Sequence, residues 1–392
     1  MISKKHILLA LLFFPGVVNA KYYVKDSVSL LLGADTNPLF AQTATTGMDM
    51  FIRTDPQLDF IMDKRDIYIR IGGGLDYNKY FDNTNQSYVA FKFDGELDLK
   101  PDEQTRVIFS NSYSNNSDPT VIGTESRSKW TLYNIRANVE HDTVSNEWSF
   151  ISGLEVDSKK YDDSSYSNFD NRKAYINMEA RYFFFPETSL VFGAKGGRSF
   201  YTAGYDARPY GNSDSVHIEG FFGLKGRFIA DITMDLRAGF LWLNYENGSD
   251  FHEQFMTLKV TDVFSDNASL TAAYERTAYD SVYSNFYVDQ KVLSEFKSVW
   301  YDSMINLATF QYTYRYYRMY PRRVDHILGF ITELAVPIII IGSINENIAF
   351  TTKFMAEWIN SDAYNSFGLY NGPDPSASYR RLVLMVGLTN KF

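Results

Sequence analysis

From position 21 onward the chain repeats one event. A stretch of about 11 to 15 residues alternates apolar and polar side chains with period two, and a run of turn-forming residues follows. Between positions 87 and 100, Val89, Phe91, Phe93, Gly95, Leu97 and Leu99 share one face, and Lys92, Asp94, Glu96 and Asp98 the other. Between 172 and 185, Ala174, Ile176, Met178, Ala180, Tyr182 and Phe184 oppose Lys173, Asn177, Glu179 and Arg181. Between 230 and 243, Ile232, Met234, Leu236, Ala238, Phe240 and Trp242 oppose Asp231, Asp235 and Arg237. The pattern predicts eighteen strands, centred near 30, 57, 72, 93, 109, 135, 153, 178, 194, 221, 237, 259, 273, 291, 310, 330, 352 and 386, with sixteen as the alternative.

The connections alternate in length. Short ones are expected at 63–65, 101–104, 185–187, 229–230 and 264–267. Longer polar ones fall at 35–49, 79–87, 115–128, 160–171, 201–213, 245–253 and 360–379. Charges such as Arg70, Asp94, Arg136, Glu155, Glu179, Lys225, Asp235 and Lys259 stand at the middle of strands. In a soluble sandwich or barrel the polar face points to water and the apolar one inward, and burying so many ions would carry desolvation costs that pairing rarely recovers. Reversing the sense turns the apolar face to lipid and sets the charges along a wet lumen. The expected fold is therefore all-β: a transmembrane antiparallel β-barrel over residues 21–392, closed so that every backbone donor and acceptor is satisfied inside the membrane. Long connections are expected outside the cell and both termini in the periplasm.

Both ends of the chain fit an outer-membrane destination. Residues 1–20 read as a signal peptide, with Lys4, Lys5 and His6 ahead of an apolar Ile7–Phe14 stretch and Val18-Asn19-Ala20 as the cleavage site. The last strand alternates Leu382, Leu384, Val386 and Leu388 against Arg381, Val383, Met385 and Gly387 and stops at Phe392. That ending resembles the terminal strand of bacterial outer-membrane proteins, whose final aromatic residue implies recognition by the barrel assembly machinery. Tyr77, Trp148, Tyr182, Phe184 and Trp242 lie near strand ends, where aromatic girdles meet the membrane interfaces.

Composition narrows the functional classes. The 392 residues include no cysteine and carry a formal charge of −9, which excludes thiol chemistry and leaves no electrostatic footprint for nucleic acid. His141, His217, His252 and His326 are scattered over separate segments without HExxH spacing, and no GxSxG or phosphate loop occurs. Gly72-Gly73-Gly74 sits inside a strand pattern, where glycine marks curvature or close packing. The acidic 161–171 connection lacks the calcium-loop spacing. No enzyme activity, metal or cofactor is expected.

The functional expectation therefore rests on inward side chains. Arg53, Asp55, Asp59, Arg70, Asp76, Lys92, Asp94, Glu96 and Asp98 form a wall of mixed sign, continued by Arg136, Glu155, Glu179, Arg181, Lys195 and Lys225. Such a wall can pair internally or orient a polar solute. Tyr68, Trp130, Tyr175 and Phe221 take the same parity and could stack on saccharide rings.

Asp26-Ser27-Val28-Ser29-Leu30, Asp35-Thr36-Asn37-Pro38, Asp55-Pro56-Gln57-Leu58 and Gly74-Leu75-Asp76-Tyr77 resemble segments of the outer-membrane barrel porins associated with exopolysaccharide or capsule gene clusters, the BBP2-like group. The resemblance implies passage of secreted polysaccharide in cooperation with periplasmic polysaccharide-export proteins. The mixed-sign lumen departs from a plainly basic one and leaves the charge of the polymer open. A general or small-solute porin, or a surface receptor, adhesin or structural barrel with an occluded lumen, are the alternatives. The expected partners are outer-membrane lipid, lipopolysaccharide and the assembly machinery, around a monomeric barrel.

Overall fold

The computed structural model describes residues 21–38, 47–116, 129–162, 170–202, 213–229, 231–280, 286–300, 304–317, 323–340, 343–363 and 378–391. The expected signal peptide and Phe392 lie outside the described residues. The strands are β1 (Lys21–Asp35), β2 (Asp49–Thr54), β3 (Gln57–Lys64), β4 (Ile67–Tyr80), β5 (Tyr88–Leu99) and β6 (Thr105–Asn116). They continue with β7 (Trp130–Asp142), β8 (Trp148–Tyr161), β9 (Asn171–Phe185), β10 (Thr188–Tyr201), β11 (Ser215–Ile229), β12 (Ile232–Tyr245) and β13 (Phe251–Ser265). The last are β14 (Ala268–Asp280), β15 (Phe286–Trp300), β16 (Met304–Tyr317), β17 (Arg323–Ile340), β18 (Ser343–Ala363) and β19 (Tyr379–Lys391).

Nineteen segments make eighteen barrel strands, because β2 and β3 are one strand with a gap. Both pair with β1 and β4 in an unbroken register: Leu31 meets Arg53 and Ser27 meets Gln57, while Phe51 meets Tyr80 and Gln57 meets Gly74. The gap is Asp55-Pro56. Proline has no N–H to give to the ladder, yet Asp55 N–H still donates to Ser29 O (3.2 Å) and Pro56 O accepts from Leu75 N–H (3.0 Å). Each expected strand coincides with one of the eighteen.

Every strand lies antiparallel beside its sequence neighbours, and β1 pairs with β19 from Ser27–Lys391 to Asp35–Val383, which closes the sheet. In hydrocarbon an open edge would leave a row of unsatisfied amides, so closure is obligatory. Tight connections at 65–66, 186–187 and 266–267 alternate with long ones at 36–48, 117–129 and 364–378, the asymmetry of an outer-membrane barrel. In the turn before β6, Asp102 accepts N–H bonds from Gln104 (2.9 Å) and Thr105 (2.7 Å), and these donors hold its carboxyl below the usual range.

The exposed face is apolar along the strands. Phe91, Phe93, Ile135, Leu154, Ile176, Met178, Phe222, Phe240, Leu384 and Leu388 all stand open to the surroundings. Aromatic rings collect near its two borders. Trp148 packs on Tyr182 (ring centroids 5.0 Å apart) at the short-turn end, and Phe240 on Trp242 (5.8 Å) at the long-loop end. The protein is an outer-membrane β-barrel.

The assignment of faces is testable with two substitutions. Leu384→Arg places a charge in hydrocarbon at roughly 2 to 4 kcal/mol if near the midplane and should cut the yield of the heat-modifiable, membrane-inserted form. Lys259→Gln, on the opposite face, should leave that yield unchanged; full insertion of Leu384→Arg would mean that the faces are reversed.

Candidate functional site

The charged face is concave, and its ion pairs show this directly. Arg181 on β9 reaches Glu140 on β7 (3.4 Å), and Lys195 on β10 reaches Glu155 on β8 (3.1 Å). Arg237 on β12 reaches Glu179 on β9 (3.2 Å) although β10 and β11 lie between them. Neighbouring strands are about 4.8 Å apart, so this last pair bridges three strand spacings. Side chains converge in this way only on the inside of a curved sheet. Glycine makes room for the crossing. A Cβ at Gly193 would stand 2.2 Å from the Phe221 ring, which lies over that glycine with the Arg237 guanidinium 5.3 Å from its centre.

The side chains singled out from the sequence fall mostly into such pairs. Arg53 grips Asp76 through two nitrogens (2.9 and 2.8 Å), and Arg70 sits between Asp59 (3.4 Å) and Asp94. Asp98 is matched by Arg106 (2.6 Å), a partner not singled out in the sequence. Arg136 and Lys195 share Glu155, Arg181 and Arg237 share Glu179, and Lys225 stands 3.9 Å from Asp235. Most of these side chains are partly exposed, where a single pair contributes about 0 to 1 kcal/mol. Their effect is to cancel charge along the wall. Asp55 accepts from the Gln57 amide (3.3 Å). Lys92 and Glu96 make no ion pair among the described residues.

The four aromatic candidates are placed differently. Tyr175 lies under the Lys195 ammonium (4.3 Å to the ring centre) and edge-on to His217, and Trp130 lies under Lys159 (4.6 Å). Phe221 is enclosed by Arg237 and Phe255. Tyr68 borders a small polar hollow at the turn end with Glu96, Asp98 and Arg106.

Two apolar patches on the inner wall are absent from the polar-face expectation. The first joins Leu31, Phe51, Tyr80, Val383 and Met385, with Met355 against it, across β1, β2, β4, β18 and β19. Beside it Asp35, fully buried, accepts from Arg381 Nε and Nη2 (2.7 Å to the latter), Tyr80 Oη (2.9 Å) and Asn37 N–H (2.9 Å). This network ties the closing pair β1–β19 to β4 at the long-loop end. Next to it opens a cavity of about 330 Å³, lined by the polar Arg53, Asp76, Tyr88, Lys92 and Arg381 and the apolar Phe51, Met355, Val383 and Met385, among others.

The second patch joins Leu241, Leu243, Tyr245, Phe251, Phe255, Phe286 and Val288. Leu241, Leu243, Phe251 and Phe255 belong to the inner face of β12 and β13. Val288 shares the parity of Val292 and Phe296, which face outward further along β15. The contact is possible because β13 and β14 stop pairing at Met256–Arg276, although β14 runs on to Asp280 and β13 begins at Phe251. Above that point the β14–β15 hairpin leans into the mouth and lays Phe286 on Phe251 (5.2 Å) and Tyr245 (6.0 Å). Arg276 stitches the parted strands through the Gln254 carbonyl and Glu253 (2.5 Å). On the hairpin's other face Tyr279, Tyr287 and Tyr317 form a row, with Arg315 over Tyr287 (4.1 Å) and bound twice to Asp289.

No family model and no curated protein matches the sequence. Among solved structures, the chain is similar to the siderophore receptor PirA of Pseudomonas aeruginosa (11% identity, 94% of this chain and 80% of that one, TM-score 0.44). It is also similar to PirA of Acinetobacter baumannii (7%, 94% and 80%, 0.47) and to the copper transporter OprC (10%, 95% and 80%, 0.47). These likenesses are to receptors and a metal transporter, not to capsule-associated porins. The expected membership of the exopolysaccharide group, the polysaccharide-export function and the export partners are therefore corrected, as is the description of the barrel as a porin. The segments behind that resemblance have structural work of their own: Asp35 and Asn37 in the closure network, Asp55-Pro56 at the strand gap, Asp76 in the pair with Arg53. Contact with outer-membrane lipid and assembly by the outer-membrane machinery stand with the barrel itself.

Removing one partner of a buried ion pair strands the other, at about 3 to 5 kcal/mol. Arg381→Met should therefore lower the unfolding temperature of the barrel markedly, and adding Asp35→Asn should recover part of the loss. A single substitution without effect on thermal unfolding would show that the network does not hold the closure.

Proposed function

We propose that this barrel is a receptor-type transporter that draws a small anionic solute with an apolar portion into the cavity beneath its mouth. One observation carries the reading. In that cavity Arg53 is satisfied by Asp76 and Arg381 by Asp35, while Lys92 points its charge at the same space without an ion-pair partner among the described residues. The site therefore holds one uncompensated positive charge, beside two guanidinium groups and the Tyr88 ring. Phe51, Met355, Val383 and Met385 in the same lining offer apolar contact. A pocket of this kind orients a ligand by a few polar groups and retains it by apolar surface.

The mixed-sign wall below continues the path. Paired charges present donors and acceptors without a net field, so a solute leaving the Lys92 cavity meets many weak contacts and no second deep well. The mechanism has binding and passage and no covalent step. The siderophore and copper proteins named above share the barrel plan in outline only, and the reading rests on the wall of this chain.

The test is uptake into liposomes carrying the purified protein. Transport of small aromatic carboxylates should saturate with concentration, and Lys92→Gln should weaken the half-saturating concentration about tenfold, as expected for loss of a charge-assisted hydrogen bond. Uptake that rises in proportion to concentration and is indifferent to Lys92 would replace the receptor reading with unselective diffusion.

A further inference from the structure

The outer surface carries a feature that the inner wall does not explain. At the long-loop end of β16–β19 an open groove of about 720 Å³ is lined by Tyr312, His326, Trp358, Asn360, Ser378 and Arg380, among others. Tyr312, His326, Trp358 and Arg380 have the parity of Phe310, Phe350, Leu382, Leu384 and Leu388, which are exposed along the same strands. The groove thus caps the lipid-facing apolar band at the border nearer the long loops.

Its chemistry is one-sided. Arg380 sits directly across the β18–β19 pair from Trp358, is exposed, and has no ion-pair partner among the described residues. Among the described residues no carboxylate lines the groove. Tyr312 Oη lies 2.9 Å from His326 Nδ1 and the Tyr314 ring stands edge-on to the imidazole, so His326 is held with Nε2 as its second polar atom. The side-chain amide of Asn37 donates to the Arg380 carbonyl (3.1 Å), which anchors the backbone carrying the guanidinium. An arginine reaching alone toward a membrane interface would account for the charge, but not for a hollow that joins it to a histidine, amide and hydroxyl groups and two flat rings.

From this arrangement we infer that the groove binds the phosphorylated sugar headgroup of a glycolipid in the outer leaflet. The guanidinium takes the phosphate through paired N–H donors, Trp358 and Tyr312 lie against the sugar ring, and Asn360 and Ser378 meet its hydroxyls. The acyl chains run down the band formed by Leu382, Leu384, Leu388, Phe310 and Phe350. This assignment is independent of the transport reading, since none of these side chains belongs to the Lys92 cavity.

Native mass spectrometry of the detergent-solubilised barrel mixed with bisphosphorylated lipid A provides the test, with heat-modifiable migration checking that each variant is folded. The wild-type protein should retain lipid A; Arg380→Gln and Trp358→Leu should each weaken binding about tenfold, the scale of one charge-assisted contact, and Arg380→Lys should fall between. Dephosphorylated lipid A should bind the wild-type barrel no better than lipid A binds Arg380→Gln, and inorganic phosphate should not compete. Full binding by folded Arg380→Gln, or equal binding of dephosphorylated lipid A, overturns the proposal. Competition by inorganic phosphate at the concentration effective for lipid A also overturns it, because the groove would then be a free-anion site.

Discussion

Hydrocarbon offers no hydrogen bonds, and the whole architecture answers that constraint. A strand entering the membrane must give every amide to a neighbour, so the sheet ends only where its last strand finds its first. Here that meeting is β1 with β19, reinforced at the loop end by Asp35, Arg381 and Tyr80. The closure network and the Lys92 cavity share side chains, since Arg381 and Tyr80 belong to both. The candidate binding site is thus built on the seam that makes the barrel a barrel.

The inner wall answers a second constraint. Lumen side chains are packed on the inside of a curve, which brings residues far apart in the chain within reach. Glu179 and Arg237 meet across two intervening strands because Gly193 removes a side chain and Phe221 fills the space left. Charge that would be costly in a protein core is held here in half-wet pairs. Charges left out of the pairing acquire meaning where they open into a cavity, as Lys92 does near the mouth and Glu96 does at the turn end.

Much of the barrel could be read directly. Strand positions were legible because each face obeys a separate solvent, so the period-two signal persists through every segment, even across Pro56, where only a hydrogen bond is missing. The sign of the lumen was legible for the same reason. The pairings were not. Arg106 as the partner of Asp98 and Glu140 as a partner of Arg181 depend on register and curvature, which alternation does not encode. The inner apolar patches were hidden because Leu241 and Leu243 share a parity with Arg237 and Asp235, and a strand can change its interior company toward the mouth without changing its period. The family resemblance failed for a related reason. Short Asp-, Gly- and Pro-bearing segments follow from strand gaps and closure in this barrel, and say little about cargo.

The parting of β13 from β14 above Met256 and Arg276 has a mechanical consequence. Where neighbouring strands stay paired, the circumference is set by ladders of directional bonds, and changing it means breaking them. Here the rim overlaps itself like the ends of a coiled spring, with Phe286 resting on Phe251 and Tyr245 and Arg276 tied to Glu253 across the gap. Stacked rings and one arginine stand there in place of the backbone ladder. Along this seam the rim is held by side chains, while the girth below it is held by backbone pairing.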